Sequence, residues 1–258
     1  MKTKLRILSG CALVALWFGA ALVAQTGTLS PLDEAQAALR ARDYGKAAAL
    51  LEPLTLAGAQ DAAAFHLLSQ VRFAQKDAKR AIALAEQATE LEPSKPAHFS
   101  QLGMAYAQRM GEVGFMQQAM MAGKLKQAFA SAVALDPNDV AGLIGLGRYY
   151  ANAPEIAGGS LEKAKEYALR VSRLNPFLGA VELGQIAVSD ENPAEALAQF
   201  ETAAKLRPAD AQVQMLCGRV LAQLGRKDEA RVRFEAALAL QPDFEAARVG
   251  RAELDTPK

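Results

Sequence analysis

The sequence predicts an all-α chain: about six helix pairs stacked in one direction as an α-solenoid, closed by a C-terminal capping helix. Three observations predict it. The chain of 258 residues is rich in alanine and only 6% aromatic, a composition suited to helices that approach closely. Five segments end alike on a proline, at Glu92-Pro93, Asp136-Pro137, Asn175-Pro176, Arg207-Pro208 and Gln241-Pro242. Each proline is preceded by the same apolar stripe at helical spacing.

That stripe defines the second helix of each pair. Twelve residues before the prolines stand Ala81, Leu125, Ala164, Ala196 and Ala230. Four further on come Ala85, Phe129, Ala168, Phe200 and Phe234, and three beyond those Ala88, Ala132, Val171, Ala203 and Ala237. Steps of four and three keep all three positions on one helical face. Small residues at the two ends admit a neighbouring helix, and Phe fills the space between.

The first helix of each pair carries its own face. Phe99, Leu102, Gly103 and Tyr106 recur at identical spacing as Leu143, Leu146, Gly147 and Tyr150, and Leu183-Gly184 and Cys217-Gly218 continue the series. Glycine inside a helix costs ~1 kcal/mol against alanine, so its return at one register predicts a close helix–helix contact. An earlier, weaker unit holds Ala47 and Leu51, 34 residues before Ala81 and Ala85, with Ala59 in place of the closing proline.

These residues resemble the tetratricopeptide repeat (TPR) family, whose signature is W-x2-L-G-x2-Y, then A-x3-F, then P. Leu102, Gly103, Tyr106, Phe129, Ala132 and Pro137 match it in one repeat; Leu146, Gly147, Tyr150, Ala164 and Pro176 in the next; Cys217-Gly218, Ala230, Phe234, Ala237 and Pro242 in the last. Phe65, Phe99 and Leu143 stand where the family has Trp. The resemblance spans about residues 28 to 243. It implies a right-handed superhelix over residues 28–258 and a non-enzymatic role as a protein-binding scaffold.

Punctuation agrees. Ser160, Asn192 (with Pro193 behind it) and Asp210 are helix N-caps. Asp136-Pro137-Asn138-Asp139 reads as a turn opening the next helix. Pro53 ends or kinks its helix. Phe244 to Leu254 reads as the terminal cap, with Arg248 and Arg251 on its wetter face.

Two inserts break the period, near 107–124 and 151–160. Tyr106 to Leu125 spans 19 residues where Leu221 to Ala230 spans nine, so about ten are added. This stretch holds Met110, Met116, Met120 and Met121. Either the flanking helices lengthen and pack the methionines between them, or Met116, Met120 and Met121 meet a partner, since thioethers adapt to varied surfaces. A thioether metal site is disfavoured by the lack of neighbouring His or Cys. In the second insert, Pro154 and Gly158-Gly159 predict a shaped loop. A Gly-Gly before a helix start can receive an anion, but no Lys is placed as in a phosphate loop.

The N-terminus carries a different signal. Lys2, Lys4 and Arg6 precede an apolar run from Ile7 to Ala24. Residues 1–26 thus read as a secretory signal peptide or a retained anchor, which predicts a bacterial periplasmic location, either free or held to the inner membrane by residues 7–24. Net charge is +1 overall and turns slightly negative once those three cations are set aside, which excludes a basic stripe for nucleic acid. Of the two cysteines, Cys11 lies in the leader, so the body holds no disulfide.

No nucleophile–base pair, phosphate loop or metal-ligand spacing emerges, so no enzyme activity and no cofactor is predicted. His66 and His98 are the only histidines. Groove-facing candidates come from the first helices: His66, Gln70, Ser100, Met104 and Gln108, then Ile144, Arg148, Val181, Gln185, Met215 and Arg219. The Lys/Asn/Arg set with which some family members grip C-terminal carboxylates is absent, though Arg148 and Arg219 can pair with an acidic ligand. The mixed apolar, Gln and Arg surface points to an extended peptide or helical segment of a partner protein. The rival expectation is a self-associating structural protein; an assembly factor for cytochrome c or outer-membrane proteins is a subclass nothing here selects.

Overall fold

The computed structural model describes residues 29–255, and the proposed leader lies outside the described residues. All regular structure among them is helical: α1 (Pro31–Arg40), α2 (Tyr44–Leu51), α3 (Ala62–Ala74), α4 (Ala78–Leu91), α5 (Pro96–Met110), α6 (Phe115–Leu135), α7 (Val140–Asn152), α8 (Leu161–Leu174), α9 (Pro176–Ser189), α10 (Pro193–Leu206), α11 (Ala211–Gln223), α12 (Lys227–Leu240) and α13 (Glu245–Glu253). These are six antiparallel pairs and a terminal cap.

Local chemistry sets the boundaries. Asn192 Oδ1 accepts from the Glu195 N–H, Asp210 Oδ1 from Val213 and Ser160 Oγ from Lys163. Ser30, Asp43, Asp61, Asp77, Asp139 and Asn175 cap six further helices in the same way. Each cap satisfies an otherwise orphaned amide and contributes ~1 kcal/mol. Asn175 alone joins α8 to α9, with Pro176 already in the first turn. Pro53 stops α2 after Leu51, and the chain continues as a 3-10 turn, Glu52–Thr55.

Packing follows the stripe. All fifteen stripe residues are buried, and Phe200 and Phe234 are among the largest fully buried side chains. Each Phe is accommodated by missing side chains. A Cβ added at Gly103 would sit 2.6 Å from the Phe129 ring, at Gly184 2.4 Å from Phe200, and at Gly218 2.8 Å from Phe234. The following pair does the same from the other side: Gly145 presses on Phe129 and Gly250 on Phe234. A ring from one second helix is thereby clamped between its own first helix and the next one.

Gly147 departs from this pattern. A Cβ there would lie 3.4 Å from Tyr167 Cβ, an ordinary contact. Its partner helix α8 has Ala168 where α6, α10 and α12 have Phe, so no ring presses on it. Tyr150 and Tyr167 stack beside it instead, ring centroids 5.7 Å apart.

The inserts take different forms. The first lengthens α6 to 21 residues, against 14 in α4, α8, α10 and α12. Seven extra residues at ~1.5 Å each carry its N-terminal end about 10 Å farther. Helix lengthening accommodates this insert: Met110 and Met121 pack against the core, while Met116 and Met120 stay exposed. The second is a loop with a 3-10 turn at Glu155–Ala157; Gly158 takes φ +85°, and a Cβ at Gly159 would collide with the Ala153 carbonyl. Tyr149 donates to the Ala157 carbonyl and fixes the loop from below. Glu162 accepts from its own N–H and from the Ser160 hydroxyl, and these bonds hold its carboxyl below the usual range. A carboxylate therefore already occupies the helix start where an anion was considered.

Replacing Gly184 by Ala should destabilise the protein by up to about 2 kcal/mol, because overpacking costs ~1–3 kcal/mol and helix propensity returns ~1. Gly147→Ala should be neutral or stabilising by up to ~1 kcal/mol. Urea midpoints of the two variants check this; a Gly184→Ala protein more stable than the parent would disprove the clamp.

Candidate functional site

First helices touch one another at every step but that from α9 to α11, α1 on α3, α3 on α5, α5 on α7, α7 on α9 and α11 on α13, while neighbouring second helices make no comparable contacts. The first helices therefore line the inside of the curve, and their exposed faces form its inner wall.

At the N-terminal half, the wall is a run of polar links between successive first helices. His66 on α3 is half-buried, and its Nε2 accepts from the Gln70 amide (3.0 Å). Its ring lies 4.8 Å from that of His98 on α5, whose Nε2 donates to Glu92 (3.2 Å). The Nδ1 atoms of both histidines are buried without a partner. Burial, then the nearby His98 and Lys95 charges, lowers the His66 pKa from 6.5 to about 4. Gln108 reaches back to donate to the Phe73 carbonyl (3.0 Å). Beneath them Gln101 donates to Ser69 Oγ (3.1 Å), which donates to the Ala81 carbonyl (2.8 Å).

Two candidates do not reach the wall. Ser100 is buried, its hydroxyl donating to Asp139 at the start of α7. Met215 is 3% exposed and belongs to the C-terminal core, because α11 also carries α13 against it. Met104, Ile144, Val181 and Gln185 are half-buried on the wall, and Arg219 is exposed there.

Arg148 is not a free cation. Its guanidinium donates twice to Glu182 on α9, at 2.9 and 2.6 Å, and the hydrogen bonds raise its already high pKa. Glu182 is 6% exposed at its side chain, Arg148 60%. A depression of about 300 Å³ opens over this pair, lined also by Asn152, Gln185, Ile186 and Ser189. With the carboxylate neutralised, the lining offers amides, a hydroxyl and the free edge of the guanidinium. Glu182 was absent from the sequence-based candidates. The available signal was a polar residue directly before Leu-Gly at the same register, as in Gln101-Leu102-Gly103 and Glu182-Leu183-Gly184; each reaches the first helix of the preceding pair.

Cys217 is fully buried and burial pushes its thiol up to about 11, which leaves it unreactive. Among the described residues no three His, Cys, Asp or Glu side chains are placed to hold a metal.

A tetratricopeptide repeat family model matches residues 32–96 and 181–243, about half of the chain. The chain is a tetratricopeptide repeat protein. The stretch between the two TPR matches is the one that contains both inserts, where the 34-residue period is broken. A search of curated proteins finds no match. Solved TPR structures share the fold. A thermophilic TPR protein from Thermus thermophilus superposes with a TM-score of 0.65 at 18% identity, over 74% of this chain and 97% of its own. PilW, a type IV pilus biogenesis factor, gives 0.67 at 17% identity over 85% and 96%. PilF from Pseudomonas aeruginosa gives 0.53 at 18% over 75% and 88%. A TPR solenoid of this kind is a fold suited to protein–protein interaction.

Two measurements check the wall. The folded state resists protonating His66, so it binds fewer protons than the unfolded chain between pH 6.5 and about 4. Stability contributed by the neutral ring is full above pH 6.5 and is lost as pH falls towards 4, up to about 3 kcal/mol. His66→Gln should flatten that part of the urea-stability curve; parallel curves for parent and variant would refute the assignment. Arg148→Ala should cost about 1–3 kcal/mol by stranding the Glu182 carboxylate, and adding Glu182→Leu should restore most of it; an Arg148→Ala variant as stable as the parent would count against the pairing.

Proposed function

We propose that this protein is a non-enzymatic scaffold of the bacterial cell envelope that holds an extended segment of a partner protein along its inner wall. The wall's composition carries the reading. Gln36, Gln70, Asn152, Gln185 and Gln223 recur down the first helices, interleaved with Met104, Ile144 and Val181. The carboxylate that the wall contains, Glu182, is neutralised by Arg148. Primary amides can donate to and accept from a peptide backbone at once, and apolar side chains between them cover the partner's alternate residues. Arg219 adds one cation for an acidic position on the partner.

The envelope location is supported by the basic start and apolar run of residues 2–24. Whether the run is removed or kept decides between a diffusing and a tethered scaffold. PilW, of similar fold, is a pilus biogenesis factor, and assembly of an envelope machine is the process such a scaffold would serve. Self-association through the end pairs is the competing mode.

Photo-crosslinking in living cells tests this. A crosslinking residue at Gln185 or Arg219 should trap a protein partner in the envelope fraction, and the same residue at Arg173 or Glu235 on the outer helices should not. Crosslinking only between copies of this chain would favour the self-associating reading, and equal trapping from both faces would remove the inner wall as the site. Sequencing the mature N-terminus from fractionated cells checks the location.

A further inference from the structure

The four most exposed large apolar side chains among the described residues all lie on the two inserts: Ile156 at 99%, Phe115 at 80%, Met120 at 75% and Met116 at 74%. Both inserts join a first helix to its second helix in successive pairs, so they emerge on the same edge of the solenoid. The contacts bear this out. Lys126 of α6 lies 5.2 and 5.1 Å from the Tyr149 and Tyr150 rings, and a Cβ on Gly158 would be 3.9 Å from its ammonium. Cations stand just behind the apolar tips: Lys124 beside Tyr106, Lys126, and Lys163 at 5.3 Å from Tyr150. An open depression of about 340 Å³ beside Met120 adds Lys79 and Arg109. Of the carboxylates nearby, Glu112 is paired with Arg109, Glu86 accepts from the Tyr106 hydroxyl and Glu162 from Ser160, and Glu155 lies next to Ile156.

We propose that this edge rests on a membrane surface of anionic phospholipid, with Phe115, Met116, Met120 and Ile156 in the interface and the lysines against lipid phosphates. The observations favour a lipid surface over a protein groove-filler in two ways. The apolar side chains project from tips, where a fluid interface closes around them, and do not line a pocket of fixed shape. Apolar tips backed by tyrosine and lysine match the layering of a bilayer, with its apolar interior, amphipathic boundary and anionic headgroups. None of the described helices is long and apolar enough to cross a membrane, so the contact is peripheral. This edge is separate from the inner wall, and the inference does not depend on the partner-binding reading. A tether through residues 7–24 would enter at the start of α1, on the edge opposite the inserts, so tethering alone does not bring the inserts to the lipid.

The sole tryptophan, Trp17, makes a local probe available. The full chain carrying Trp17→Phe and Met116→Trp is reconstituted with phosphatidylcholine vesicles, with and without phosphatidylglycerol, using bromine-labelled acyl chains as quencher. Emission at position 116 should shift to the blue and be quenched about twofold or more with phosphatidylglycerol, and Lys124→Ala with Lys163→Ala should remove most of that gain. Leu135→Trp at the far end of α6, about 30 Å away, should stay unquenched. Vesicle-bound protein with no quenching at 116, or equal quenching at 116 and 135, overturns the proposal. So does a blue shift that appears without vesicles and grows with protein concentration, which would show that a second copy covers this edge.

Discussion

Burying the apolar stripe of each second helix against the next pair is the constraint on which the structure rests, and α6, α10 and α12 meet it with an aromatic ring. A helix pair of this sequence cannot hide its own apolar stripe, because one side of the second helix always faces outward. The ring of Phe129 or Phe234 solves this only if both flanking first helices give up a side chain, at Gly103 and Gly145 or at Gly218 and Gly250. The clamp sets how closely those pairs approach. At the joints where α4 and α8 present Ala85 and Ala168 in place of a ring, polar contacts bridge the first helices: the Gln101–Ser69 link and the tilted His66–His98 pair between α3 and α5, and the Arg148–Glu182 fork between α7 and α9.

The wall is accordingly more internally bonded than its outward-facing residues suggest. Several polar groups that a partner would need are committed within the solenoid: Ser100 to Asp139, Gln108 to Phe73, Arg148 to Glu182. Amides and half-buried apolar side chains are what remain for a ligand. Such a surface suits a segment recognised through its backbone better than one recognised by a single charge.

The helices, their caps and the order of pairs were legible in the sequence because each depends on local spacing. Apolar residues four and three apart, prolines after each second helix and Asx or Ser before nine of the thirteen α-helices are short-range signals. The burial of Met215 was not, because it arises from α13 lying on α11. Gly147 misled for a similar reason: its role depends on a residue across the pair, Ala168, and a glycine without a facing ring is free of compression. The Arg148–Glu182 pair was missed because its members stand 34 residues apart and meet only when the repeat is folded onto itself. The lengthening of α6 was visible as an irregular count, but its exposed tip followed only from the absence of any neighbour above it.

The ring joint is also unevenly distributed. Where α6, α10 and α12 present Phe, α2 presents Leu51 and α4 presents Ala85. The N-terminal pairs are packed chiefly by alanine and leucine, with Ala35, Ala38, Ala47 and Ala48 at their centre. A pulling load entering at the N-terminus would meet this lightly bonded end first, so α1 and α2 would peel off as a mechanical fuse and spare the aromatic joints behind them.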